Sequence, residues 1–284
     1  MKLKRLAVLA CVFLLAVGML AGCGSTGAGG AKKYVVLEDT LTEEQYGVGF
    51  RNEDIAFGLE VQKALDEIFA DGTGLELSQK WFGTDTLLKD PAYIEEDVAP
   101  GGDDSWEKIK EKGKIIVGLD DSYPPMGFRD ENGELVGYDI DLAKEAAKRL
   151  GVEIEFQPID WDSKEMELTT GKVDCLWNGL SITDERIEEL YFAKPYIANK
   201  QIIIVPEGSS IKTRADLKDK TVGLQKGSSS YNALTSDPVS KEVKEIKEYV
   251  NNVDAYNDLK AGRIDAFVVD SVVGEYMLAQ DNQK

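Results

Sequence analysis

Apolar and polar positions follow two different periods along this chain, and the switches between them lay out its elements. Residues 115–117, 153–156, 173–177, 201–205, 221–224, 245–250 and 264–269 are short runs built on β-branched, aromatic and other apolar side chains, some continuous and some alternating with charged ones, which predicts strands. Between them the period lengthens to that of a helix. The clearest case is DIDLAKEAAKRLG, where Ile140, Ala143, Ala147 and Leu150 share one face and Gly151 is placed to stop the helix. A short helix is expected after Trp161, and an amphipathic one over residues 272–280. From Glu107 onward the two signals alternate, a pattern of parallel sheets covered by helices on both faces.

The alternation runs through two series that echo each other. LTTGKVDCLW and LKAGRIDAFV carry Leu, Gly, a basic residue, a β-branched residue and Asp at matching offsets, and VGLDDSY parallels VGLQKGSS. Two echoes in the same order point to two similarly built lobes. Ahead of them stands KYVVLEDTLTEEQYGVGF, with strand signals at 34–37 and 46–50. A helix follows with Phe57, Val61, Leu65 and Ile68 inward, and then a shorter one ending at Phe82. Thr73 and Glu76 have the spacing of a capping box for that second helix. KDPAYIEEDVAPGGDDS reads as a linker. A helix in an α/β layer is normally followed by a strand, and the helix over 272–280 finds one if DNQK is joined to KYVVLED. The expectation is therefore a circularly permuted chain; the alternative is a fusion accident that forms no stable protein. Termini of compact domains often lie close together, which makes such a cut tolerable.

Composition narrows the class. Lys2, Lys4 and Arg5 precede an apolar run that ends at Ala21-Gly22-Cys23, the pattern of a secretory signal; the run is short for a membrane span of about 20 residues. Removing those three basic residues lowers the formal charge from −19 to −22. Such a surface is a poor partner for nucleic acid. The chain has no histidine, which excludes Ser-His-Asp and Cys-His catalysis and histidine-ligated zinc. Cys175 is expected to be a small buried apolar residue, and no cofactor is implied.

Several stretches together carry a family likeness: GLDDSYPPMGF…GYDIDLAKEAAKRLG, NGLSITDERIEEL…PY, VGLQKGSSSYNAL, GRIDAFVVD and YGVGFR…DGTG…KWFG. Over nearly all its length after the leader, the chain resembles the extracytoplasmic substrate-binding proteins of polar amino acid ABC transporters. The departure is order, since residues 33–83 correspond to the stretch that closes the chain in that family. The resemblance implies a type II periplasmic-binding fold: α/β, two lobes, each a mostly parallel sheet covered by helices, joined by hinge strands near 46–51 and 199–205. It also implies a signal peptide at 1–22 and a lipid on Cys23, with 23–32 as a flexible tether. One lobe would be built from 46–83 and 107–200, the other from 33–45 and 201–284, with 84–106 as linker. The expected protein is monomeric and lipid-anchored outside the cytoplasm, and delivers a polar or basic L-amino acid to a membrane permease.

Individual side chains take roles within that likeness. Arg186, in a helix capped by Thr183, offers a fixed fork of donors, and by resemblance it clamps the ligand's α-carboxylate. A surface salt bridge to Asp184 or Glu189 is the plain alternative. Ser181 and the backbone at Asn178-Gly179 would support the same end. Ser228 and Ser229 open a helix after a strand, which suits either an anion site or an ordinary cap. Asp270, at the C-terminal edge of a buried strand, would hold the α-ammonium, or else cap the next helix. Tyr123 and Trp161 are candidate walls for the ligand's side chain, and Trp161 fits a core position as well. Asp120 is the expected reader of a basic or amide side chain. The rival functions are a cyclohexadienyl-dehydratase-like enzyme on the same fold and a sensory amino-acid-binding module.

Overall fold

The computed structural model describes residues 33–88 and 99–282, so the leader, Cys23 and the tether lie outside the described residues. The described chain opens with β1 (Tyr34–Val36), β2 (Thr42–Arg51), α1 (Ile55–Ala70) and α2 (Thr73–Phe82). α1 buries Phe57, Val61, Leu65 and Ile68 along one stripe. The capping box expected of Thr73 and Glu76 does not form. Gly72 is the N-cap of α2, Thr73 is its first helical residue, and the Thr73 N–H donates to Asp71 Oδ1 at 3.0 Å. A local turn by an aspartate two residues ahead has taken the donor that the box needed.

After the linker come α3 (Ser105–Lys112), β3 (Lys114–Leu119), β4 (Ser122–Tyr123), β5 (Gly127–Arg129), β6 (Leu135–Val136) and α4 (Tyr138–Leu150). β7 (Glu153–Pro158), α5 (Lys164–Thr169), β8 (Cys175–Ser181), α6 (Asp184–Glu189) and β9 (Leu190–Phe192) complete the first half of the sheet. β10 (Ile197–Pro206) leads to the second half, made of β11 (Thr221–Gln225), α7 (Ser229–Ser236), β12 (Glu245–Tyr249), α8 (Asn252–Ala261), β13 (Ala266–Asp270) and α9 (Ser271–Asn282).

The main sheet runs β12-β11-β13-β10-β2-β8-β3-β7. β3 lies parallel to β7 and β8, and β11 parallel to β12 and β13. The two middle strands differ: β10 is antiparallel to β13 and β2, and β2 is antiparallel to β8. Parallel order thus holds within each half, while the strands that cross between halves run against it. Apolar patterning carries no strand direction, so the sequence could not separate the two cases.

The echo between the series has a physical basis. Gly171 and Gly262 take positive φ after α5 and α8. Asp174 then accepts the N–H of Ile116 at 2.7 Å, and Asp265 accepts that of Thr221 at 2.8 Å. Each aspartate ties its turn to the neighbouring strand, β3 at its third residue and β11 at its first.

The opening segment is built into the rest. The amides at the start of α1 are capped from within the stretch expected as linker, Ala56 N–H by Asp103 Oδ2 at 2.6 Å and Phe57 N–H by Ser105 Oγ at 3.0 Å. The expected linker is therefore ordered at its later end, where α3 begins at Ser105 rather than after it. At the other edge, the Tyr34 ring meets the Tyr256 ring at 5.8 Å, and the Tyr256 hydroxyl donates to Asp281 of α9 at 2.7 Å.

Candidate functional site

β13 delivers Asp270 to the line where the crossing strands meet. It is 2% exposed, and its Oδ1 accepts from Tyr46 Oη at 2.9 Å, Asn199 Nδ2 at 2.6 Å and Gln201 Nε2 at 2.9 Å. Tyr46 belongs to β2, and Asn199 and Gln201 to β10. The same two amides reach a second carboxylate: Glu44 Oε2 accepts from Asn199 at 3.1 Å, Gln201 at 3.0 Å and Ser181 Oγ at 2.6 Å. Burial, and then the neighbouring Glu44, push the Asp270 carboxyl up to about 6.

Arg186 approaches from the other half. Thr183 caps α6 as expected, accepting the Arg186 N–H at 3.3 Å. The guanidinium is only 8% exposed and does not turn outward to Asp184 or Glu189. Nη1 donates to the Ser181 carbonyl at 2.8 Å, and Nε lies 3.9 Å from Glu165. Burial works against its charge.

Between these opposite charges runs a chain of hydroxyl and amide groups. Ser181 Oγ is 3.0 Å from Ser229 Oγ, which accepts from Gln201 Nε2 at 3.0 Å. Ser228 is an N-cap of α7, with Oγ donating to Gln225 O at 2.7 Å and accepting the Tyr231 N–H at 3.4 Å. Arg186, Ser181, Ser229 and Asp270 are thereby brought into one polar seam, yet no ion pair joins Arg186 to Asp270.

The remaining candidates sit around that seam. Tyr123 Oη lies 3.1 Å from Tyr46 Oη. Gly179 has φ of 56°, and a Cβ there would stand 2.7 Å from the Tyr123 ring, so only glycine fits beneath it. Its N–H is held by Asp139 Oδ2 at 2.7 Å. Asn178 Oδ1 accepts the Asp120 N–H at 3.1 Å, while its Nδ2 is buried without a partner. Asp120 Oδ1 accepts from Ser122, and Oδ2 takes a 2.7 Å bond from Gln225 Nε2 of the second half. Burial raises the Asp120 carboxyl. Trp161 packs mainly as core, with Leu168, Val173 and Leu176. Cys175 is buried, which pushes its thiol up.

The sequence reading did not single out Glu44, Tyr46, Asp139, Asn199, Gln201 or Gln225. A signal existed for Asn199 and Gln201: two amides at i and i+2, on one face of a strand whose other residues are largely apolar. Among the described residues no group of acidic or cysteine side chains is placed to hold a metal ion.

Comparison with known proteins adds an independent line. The family described as "Bacterial extracellular solute-binding proteins, family 3" matches residues 115–261. An L-cystine-binding protein of Escherichia coli is 34% identical over 177 residues, which are 62% of this chain and 65% of that protein. A lysine/arginine/ornithine-binding periplasmic protein of the same organism is 36% identical over 56% of this chain and 61% of its own length. The chain thus spans less than two thirds of these relatives. Among solved structures, an ABC uptake transporter substrate-binding protein from Streptococcus pneumoniae with bound histidine is 39% identical. It has a TM-score of 0.61 and covers 64% of this chain and 76% of its own.

Proposed function

The chain belongs to the bacterial extracellular solute-binding proteins, family 3, and from that premise we propose that it captures a polar or basic L-amino acid and delivers it to an ABC transporter permease. The observation that carries this reading is the pair of buried, opposite and mutually unpaired charges at Arg186 and Asp270. Arg186 has only Glu165 at 3.9 Å as a carboxylate neighbour and Asp270 only hydroxyl and amide donors, and a zwitterion supplies each with a close opposite charge. Its carboxylate would lie against Arg186, Ser181 and the start of α7, and its ammonium against Asp270. Asp120 and Tyr123 would face the side chain, which favours ligands that donate hydrogen bonds. Since the two charges are anchored in different halves of the sheet, binding favours closure.

The order of elements has a reading of its own. We take the chain to be circularly permuted, with β1, β2, α1 and α2 moved to the front. What supports this is the seat of β2 in mid-sheet between β10 and β8, and the side-chain contacts from β1 through Tyr256 to α9. The two halves are read as lobes hinged on β2 and β10. The leader and a lipidated Cys23 would tether a monomer outside the cytoplasm. Relatives are periplasmic binding proteins, and among the described residues no helix is long and apolar enough to cross a membrane.

Thermal unfolding with each amino acid in turn tests the function. At a hundredfold excess over Kd a ligand adds about 2.7 kcal/mol, which raises the midpoint by a few degrees. A shift with one polar amino acid is expected. A cooperative transition that no amino acid moves would remove the function and leave the fold. Turnover of arogenate or prephenate would mark the enzyme instead.

A further inference from the structure

We propose that Lys164 is the centre of a latch between the two halves, one that sets the first turn of α7 against Arg186. The proposal deepens the amino-acid reading, because it names a residue that positions the carboxylate end of the same cleft.

Lys164 opens α5, on the half that carries Arg186, and is 2% exposed. Its ammonium has three donors and meets three acceptors: Trp161 O at 3.2 Å, Glu165 Oε1 at 2.9 Å and Gly227 O at 2.9 Å. A buried ammonium needs all its donors met. Trp161 and Glu165 belong to its own turn, but Gly227 belongs to the other half. The set is therefore complete only when the halves are together. A lysine that merely served the core of one half would find its acceptors there.

A second observation places backbone against backbone at the same point. Gly227 has φ of 66°, and a Cβ on it would stand 2.7 Å from Asp162 Cα. Around this contact Lys226 pairs with Asp162 at 2.7 Å, and Asn232 Nδ2 donates to Glu185 at 2.7 Å. The turn over residues 161–164 is thus seated on the turn over 226–228. By holding the Gly227 carbonyl, Lys164 fixes the direction of the peptide that leads into Ser228 and Ser229.

Charge gives the latch its link to the ligand. Burial, and then Arg186, bring the Lys164 ammonium down to about 8. Glu165 stands between the two cations, 2.9 Å from Lys164 and 3.9 Å from Arg186. The group carries an excess of positive charge that a carboxylate on Arg186 would offset. A filled cleft is therefore expected to hold the latch shut longer than an empty one.

Hydrogen–deuterium exchange on the full chain without ligand tests this, with Lys164→Met, Lys164→Arg and Gly227→Ala compared with the wild type. Lys164→Met and Gly227→Ala are expected to speed exchange about tenfold or more over residues 160–165 and 226–231, leaving β3 and β11 unchanged. Lys164→Arg can still donate to Gly227 and is expected to keep most of the protection. Wild-type exchange in both segments of Lys164→Met and Gly227→Ala would overturn the latch. Faster exchange spread evenly over the chain would overturn it too, because it marks a core effect. Titration with the standard amino acids and L-cystine separates this proposal from the function. Should the wild type bind none of them while the two segments still loosen, the latch stands and the amino-acid reading falls. Should it bind one, Lys164→Met is expected to release it about tenfold faster or more, and an unchanged release rate would overturn the latch alone.

Discussion

Replacing Arg186 by alanine removes a guanidinium that is buried, bonded to a main-chain carbonyl and short of a close carboxylate. Binding and stability should therefore respond in opposite senses. Amino-acid affinity is expected to fall by about 3 kcal/mol, as for a desolvated charge-assisted pair, while the ligand-free melting temperature holds or rises. Calorimetric titration beside a ligand-free melt checks both, and unchanged affinity would remove the clamp. Asp139 makes a different point. It lies fully buried beneath the seam, holds Gly179 N–H and Tyr196 Oη, and burial pushes its carboxyl up to about 7. A folded-state pKa raised above the ordinary carboxylate value means stability present below about pH 4 and lost as pH rises through about 7. Asp139→Asn should thus gain on the wild type by ~2–4 kcal/mol between those limits. Melts at both ends of the window decide; an equal difference at each end would deny the linkage.

At the scale of elements, α1 and β10 show what local pattern leaves out. The periodicity of α1 is plain, but its first amides are held by Asp103 and Ser105, from residues read as linker. Asp103→Ala and Ser105→Ala should each cost about 1 kcal/mol, or some 2–4 °C in midpoint for a chain of this size. A melt unchanged in both variants would mean that water serves those amides equally well. In β10 the apolar run was legible and its purpose was not. Asn199 and Gln201 sit on one face of the strand, and each divides its amide between Asp270 and Glu44. A strand that seats two carboxylates reads, residue by residue, like one that only fills a core.

For the whole molecule the question is whether connectivity or contact decides the fold. β2 pairs with β10 on one side and β8 on the other, and both pairings are made by a strand from the front of the chain. If the permuted reading holds, a chain rebuilt as residues 99–284 followed by 33–88 should fold to the same sheet. Loop closure depends only weakly on length, so its midpoint should lie within a few degrees of the parent's, with the same ligand preference. Loss of cooperative unfolding in the rebuilt chain would show that the present order is required.

What the sequence determined by itself was whatever a short window can hold. The two alternating series are of this kind, and so are the helix stops at glycine, the Thr183 cap on Arg186 and the place of Asp270 at a strand end. Each rests on propensity, period or capping, which act within a few residues. The Thr73 box failed in the same narrow range, because an aspartate just outside the motif competed for its donor. Tertiary structure decided everything that needed two distant segments at once. It set the antiparallel crossings, the Glu44–Asp270 pairing through shared amides, the Asp120–Gln225 bond and the reach of Lys164 to Gly227. The physical reason is that a buried polar group takes its meaning from its partner, and here the partner comes from another part of the chain.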